Sequence, residues 1–410
     1  MLLRVLLNQL VRSGTLEVID AQGRRSAFGD GDAPHATIRL HSRAVARKLP
    51  FNPSLYFGEG YMDGEITLEE GGLEAFLEIA LKNYHHLEKH WLYRLIALAS
   101  RQTRWLSQYN TLRAARRNVA HHYDLSDRLY ELFLDRDRNY SCAYFTEPHD
   151  NLERAQEDKK LHLASKLMLD RPGLKVLDIG SGWGGMALYL AETAGCEVTG
   201  LTLSEEQHRT SERRARRAGL EARCRFLLRD YRQDQGRYDR IVSVGMFEHV
   251  GRRHYDEFFA KVRDLLSDDG VCLLHSIGRS DPPSGSNPFI RKYIFPGGEL
   301  PALSEVLAAV ERNGLFATDI EILRLHYAET LKLWHERFEA NRKEIAALYD
   351  ERFCRMWELY LKASEMSFRH QAQMVFQLQL TKRLETLPIT RDYMVDWERR
   401  RGAESVRAAE

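Results

Sequence analysis

Between residues 151 and 280 the apolar positions alternate between two rhythms. Short unbroken apolar runs, bounded by glycine or charge, are separated by longer stretches in which apolar residues recur every three to four positions. The pattern predicts a helix across "LERAQEDKKLHLASKLML", the strand "LKVLDIG", a helix over 184–194, the strand "CEVTGLTL" and a helix over 204–218. The strands "ARCRFLL" and "YDRIVSVG", a helix over 253–266 and the strand "GVCLLHSIG" follow. Strands that are apolar throughout and separated by helices build a parallel sheet covered on both faces, so the expected class is α/β, a doubly wound and mostly parallel sheet. The later run "AQMVFQLQLTK" alternates like a strand and is expected at a sheet edge.

The first 85 residues follow a different pattern. Strand-like "TLEVID" and "ATIRL", the turns "AQGR" and "GDGDAP", and the helical "GGLEAFLEIAL" predict a small α+β domain over 1–85. An Arg- and Trp-containing helical linker over 86–120 leads to a large domain over 121–410. The opening "MLLRVLLNQLVRSG" reads as an amphipathic helix, since Arg4 interrupts it and no small-residue cleavage site follows. No run approaches the ~18 apolar residues of a membrane span, so the protein is expected to touch a membrane at most.

Charge and cysteine content narrow the function. Sixty basic against 59 acidic residues give a net charge of +1, which offers no global attraction to nucleic acid; an anionic partner must be met by a local patch. One candidate is "IRLHSRAVARKL", where Arg39, Arg43 and Arg47 at i, i+4 spacing, with Lys48, would form one basic helical face. The five cysteines lack paired spacing, which fits a reducing cytoplasm and no zinc site. His86 and His90 have metal-pair spacing but no further ligands beside them, so no metal is expected.

The strand "KVLDIG" runs into "GSGWGG", where Gly180, Gly182 and Gly184 would let a ligand approach the backbone at a helix N-terminus. Dinucleotide enzymes place an acid about twenty residues later for the ribose; here Thr202 and Gln207 stand at the end of the second strand, and Asp178 precedes the glycines. That arrangement resembles S-adenosylmethionine-dependent methyltransferases, with Asp230 and Tyr231 after the third strand where such folds grip adenine. "IVSVGMFEHVG" raises a separate question, because an apolar strand ends in Glu248, and a carboxylate at a core edge needs a cationic or hydrogen-bonding partner.

The blocks "RNYSCAYF", "LDIGSGWGG", "GLTLSEEQ", "IVSVGMFEHVG", "LLHSIGR", "RKYIFPGGELP" and "LRLHYAETLKLW" resemble the cyclopropane-fatty-acyl-phospholipid synthases, over about 115–385 and more loosely through "FGEGYMDGEI". The resemblance implies a peripheral, cytoplasmic, homodimeric enzyme that moves the methyl of S-adenosylmethionine onto a cis double bond of an unsaturated phospholipid and closes a ring. It also implies that Tyr140, Ser141, Trp183 and Leu203 join Asp178, Gly180, Gly182, Gly184, Thr202, Gln207, Asp230 and Tyr231 at the cofactor. A bound hydrogencarbonate ion is the implied base, held by Glu248, His275 and Tyr327 and by the backbone at Cys142 and Ile277. Glu248 acting as the base itself, with a raised pKa, stays open on sequence. So do a C-methyltransferase giving a branched or methylene product and an inactive lipid-binding homologue. His122, Tyr123 and Asp124 match a further block ahead of the catalytic domain.

Overall fold

The computed structural model describes residues 2–89, 125–147, 150–283 and 285–409. The chain divides into two compact units, Met1–Gln108 with Gly285–Pro296 and Leu331–Ala372, and Tyr109–Ser284 with Gly297–Thr330 and Gln373–Glu410. It thus re-enters the first unit twice after leaving it, a crossing that the linear division at 85 and 120 did not anticipate. His90, most of the expected linker and the block His122, Tyr123 and Asp124 lie outside the described residues.

The first unit is built on strands β1 (Thr15–Ile19), β2 (Arg25–Gly29), β3 (His35–Leu40) and β4 (Ile66–Glu70) in the order β2-β1-β3-β4, with β1 and β3 parallel. Helices Pro53–Met62 and Gly72–Lys82 pack against the late helix Glu351–His370. Gly58 lets the helix Pro53–Met62 approach the short helix Pro288–Tyr293: a Cβ there would lie 2.2 Å from the ring of Phe289. The expected arginine stripe is corrected here. Arg39 belongs to β3 and is ion-paired with Glu69 at 2.8 Å, and the helix begins only at Arg43, capped by Ser42. Arg43, Arg47 and Lys48 alone share that helix, because the pairing of β3 with β1 and β4 holds Arg39 extended.

The second unit holds a seven-stranded sheet of β5 (Lys175–Ile179), β6 (Glu197–Thr202), β7 (Cys224–Leu228), β8 (Tyr238–Val244), β9 (Leu266–Arg279), β10 (Phe316–Leu323) and β11 (Gln373–Thr381). Its order is β10-β11-β9-β8-β5-β6-β7, parallel from β9 to β7 and antiparallel through β11 and β10. One core cluster gathers Phe247, Phe258, Phe259 and Val306; a second gathers Leu163, Leu190, Val176 and Trp397. The doubly wound expectation holds, with one correction: "AQMVFQLQLTK" forms β11, which is buried between β9 and β10, and β10 is the edge. The glutamines that made β11 read as an edge have internal partners. Among the described residues, no helix is long and apolar enough to cross a membrane.

Candidate active site

Ligands of such sheets bind beyond the carboxyl ends of the strands, and there the site is assembled. After β5 the chain turns through Gly180, Gly182 and Gly184 at φ +85°, +54° and +87°, values that L side chains rarely adopt. A Cβ at Gly180 would meet Met246 at 2.8 Å, whereas one at Gly182 would point into open space. Asp178, two residues before the first glycine of this turn, is 2% exposed, and its Oδ2 has no hydrogen-bond partner among the described residues. Burial pushes its pKa up to about 7, against the pull of Lys159. An unmet buried acceptor just ahead of a glycine turn fits a ligand that brings a cationic donor, as the ammonium of S-adenosylmethionine would.

The other expected cofactor residues have contacts of their own. Tyr130 packs against Trp183 and Tyr140, with ring centroids 5.1 and 5.6 Å apart, and the Trp183 indole donates to Asp127 at 3.2 Å. Lys159 donates to Ser141 Oγ at 3.0 Å, and Gln156 to the Ser141 carbonyl at 3.0 Å. Thr202 donates to Gln207 at 2.8 Å, so this pair closes the end of β6, beside the half-buried Leu203. Asp230 grips Arg232 through two oxygens, at 2.9 and 2.8 Å, and Tyr231 rests edge-on against Phe258.

Glu248 lies in the short turn Phe247–His249 after β8. Its Oε1 accepts the Ile277 amide at 2.6 Å, and its buried Oε2 has no partner among the described residues. Burial raises its pKa to about 7, against the opposing pull of its own amide, the Ile277 amide and the Ser276 hydroxyl. The sequence expected the Ile277 backbone to meet an anion; here that amide fixes Glu248 instead. His275, two residues earlier on β9 and therefore on the same strand face, is 2% exposed. Burial, followed by the charges of Lys159, Lys166 and His162, pushes its pKa well below the ordinary range, so the imidazole is neutral. Its Nδ1 lies 3.2 Å from Gln377 Nε2. Tyr327 is 6% exposed near the start of the helix His326–Ala340. Cys142 is buried and its thiol is pushed upward by that burial, while the next amide, Ala143, donates to Thr330 at 3.0 Å.

Sequence reasoning missed Lys159, Lys166 and Gln377. Lys159 is 2% exposed, and burial lowers its pKa to about 8. Both lysines lie in "EDKKLHLASK", which reads as a solvated helix face, although the apolar residues flanking Lys166 were a signal. In the first unit, His335, Glu339 and Glu358 bring donor atoms within 4.8 Å of one another, but Arg342 pairs with both carboxylates, at 2.7 and 3.0 Å.

Comparison with known proteins bears on this geometry. The family model described as mycolic acid cyclopropane synthetase matches residues 110–378, and a domain of unknown function matches residues 3–90. A cyclopropane-fatty-acyl-phospholipid synthase of Escherichia coli is 38% identical over 363 residues, covering 87% of this chain and 90% of that protein. The tuberculostearic acid methyltransferase UfaA1 of Mycobacterium tuberculosis is 36% identical, covering 90% of this chain and 88% of that protein. Among solved structures, the mycolic acid cyclopropane synthase CmaA1 complexed with SAH and CTAB aligns with a TM-score of 0.61 at 36% identity, covering 65% of this chain and 97% of that one.

Proposed function

The chain belongs to the mycolic acid cyclopropane synthetase family, with its class I S-adenosylmethionine-dependent methyltransferase fold, and from that premise we propose that it makes cyclopropane rings in unsaturated phospholipid acyl chains. The single observation that carries the chemistry is Glu248, with one oxygen fixed by a backbone amide and the other buried and unmet. An alkene is a weak nucleophile, so methyl transfer depends on alignment, and the resulting cation favours aromatic faces. Tyr130, Tyr140 and Trp183 are grouped beside the glycine turn, where they would shape the pocket and exclude water.

Ring closure requires loss of a proton from the transferred methyl. A hydrogencarbonate ion, when bound, supplies the proton acceptor. Glu248 Oε2 would accept the hydrogen bond of its hydroxyl, and His275 and Tyr327 would donate to its oxygens. Two carboxylate-like groups side by side need a proton between them, and the ion brings one. The backbone at Cys142 completes the reading, while Ile277 orients Glu248. Around the cofactor, Asp178 would hold the ammonium, and Gly182 would leave room for the nucleoside together with Ser141, Thr202, Leu203, Gln207, Asp230 and Tyr231.

The substrate stays in its bilayer, so the reading includes a peripheral enzyme at the inner face of the membrane. Arg43, Arg47 and Lys48 are exposed on one short helix, and Phe51 just after it is 56% exposed. Basic and apolar groups together suit an anionic leaflet. The reading also includes a homodimer, which light scattering of the purified protein tests. The function is tested by expression in cells containing unsaturated phospholipids. Acyl chains heavier by one methylene, with cyclopropane signals by NMR, support it; a methyl branch would move the activity toward that named for UfaA1, and unchanged lipids would overturn it.

A further inference from the structure

His275 and Gln377 face each other across β9 and β11 in antiparallel register. Gln377 Oε1 accepts from Lys166 Nζ at 2.6 Å, and Gln377 Nε2 lies 3.2 Å from His275 Nδ1. An amine nitrogen of lysine on its hydrogen-bonding face offers only donors when charged, so the amide end that meets Lys166 is the oxygen. The other end is then NH2 and donates. The ring nitrogen facing it must accept, and a neutral imidazole that accepts at Nδ1 carries its hydrogen on Nε2. Lys166 is itself anchored by Glu321, which also meets His162 at 2.6 Å; the other His162 nitrogen meets Glu398 at 2.5 Å.

We propose that Gln377 and Lys166 are positioning residues that lock His275 as the Nε2–H tautomer, so that this ring can donate to an anion at Nε2 and cannot accept there. The consequence for the reaction rests on the reading that His275 faces the base. A lone pair turned toward that base would repel its oxygens and compete for its proton, so the tautomer decides which group holds the proton.

The wild-type protein tests this without any substitution. With selectively 15N-labelled histidine, and with the signal assigned by its loss in His275→Gln, NMR should report an unprotonated Nδ1 and a protonated Nε2. A proton on Nδ1 would overturn the proposal. Gln377→Glu replaces the donor by an acceptor and should move a proton to Nδ1. Gln377→Met keeps the side-chain length without the donor; it should lower kcat about 10- to 100-fold while leaving KM for S-adenosylmethionine unchanged. Wild-type kcat in Gln377→Met would also overturn the proposal. If the tautomer is as expected but turnover ignores hydrogencarbonate, the anion reading fails and the lock stands. If turnover needs hydrogencarbonate and the proton sits on Nδ1, only the lock fails.

Discussion

Two groups of buried charge in the second unit differ in one respect. Where the helix Leu152–Lys166 meets β10 and β11, each charge is in an ion pair: His162 has Glu321 and Glu398, Lys166 has Glu321 with Gln377 beside it, and Asp319, whose buried Oδ2 has no hydrogen-bond partner among the described residues, is paired with Arg391 through Oδ1 at 2.8 Å. At the carboxyl ends of β5 and β8, Asp178 and Glu248 each keep one buried oxygen without a partner among the described residues. Both regions give up hydration energy, and the first offsets it with ion pairs, whereas Asp178 and Glu248 have no ion pair among the described residues. The difference separates scaffold from site, because the fold tolerates a buried carboxylate with no ion pair of its own where a ligand supplies the missing donor.

The sharpest way to break this contrast is to remove a charge from each side. Glu248→Gln should lower turnover about 10²- to 10⁴-fold, the range of a general acid–base contribution, with cofactor affinity by calorimetry unchanged. Wild-type turnover should also fall in degassed buffer and return with added hydrogencarbonate. Activity of the variant within tenfold of wild type would remove Glu248 from the chemistry. Glu321→Gln should instead cost about 3–5 kcal/mol of stability, since it strips a buried lysine and histidine of a shared partner. Urea unfolding measures that loss, and an unchanged midpoint would show that the paired cluster is not structural.

The pH dependence should have opposite signs in the two regions. Against the upward pull of burial, His162 and Lys166 take Glu321 down to about 2, so its stabilising contribution is present above its unfolded value near 4.5 and is lost as pH falls toward 2. Glu248 has a folded pKa raised to about 7, so folding is favoured below 4.5 and that advantage is lost as pH rises through 7. At pH 8, Glu248→Gln should therefore be more stable than wild type by about 3 kcal/mol, at roughly 1.4 kcal/mol per unit. A less stable variant at pH 8 would mean that the oxygen is satisfied within the protein. Gly182→Val should follow in size, costing about 1–3 kcal/mol of stability through a non-glycine residue at φ +54° and, by filling the open space, weakening cofactor binding in calorimetry. Undiminished affinity would place the cofactor elsewhere.

The paired region was the harder one to read in the sequence. Alternating helices and strands from β5 to β9 were legible because parallel strands are apolar throughout, and the glycine turn and Glu248 stood out as polar groups interrupting such runs. Gln377 and Gln379 misled because alternating polar residues normally mark a wet strand face. Here Gln377 is held by Lys166 and His275, and Gln379 donates to Tyr393 and to the Lys166 carbonyl. Those partners lie more than a hundred residues away or on another helix, and local periodicity carries no record of them. The return of 285–296 and 331–372 to the first unit escaped notice for the same reason.

The smallest expected effect extends the comparison to the surface. Arg39 is ion-paired with Glu69, whereas Arg43 and Arg47 are exposed and have no ion pair among the described residues. If pairing marks scaffold and its absence marks a docking group, the four basic residues of "IRLHSRAVARKL" should not behave alike. Near an anionic leaflet each free basic residue contributes about 1 kcal/mol, so Arg43→Gln, Arg47→Gln and Lys48→Gln should each weaken binding to anionic vesicles about fivefold. Arg39→Gln should change it much less, because its charge is already offset at 2.8 Å. Added salt should erase the differences, and neutral vesicles should never show them. Sedimentation with vesicles at low ionic strength makes the measurement. Equal losses from all four residues would make net charge the only variable, and no loss from any would leave apolar insertion, with Phe51 exposed beside the helix, as the means by which this unit meets the bilayer.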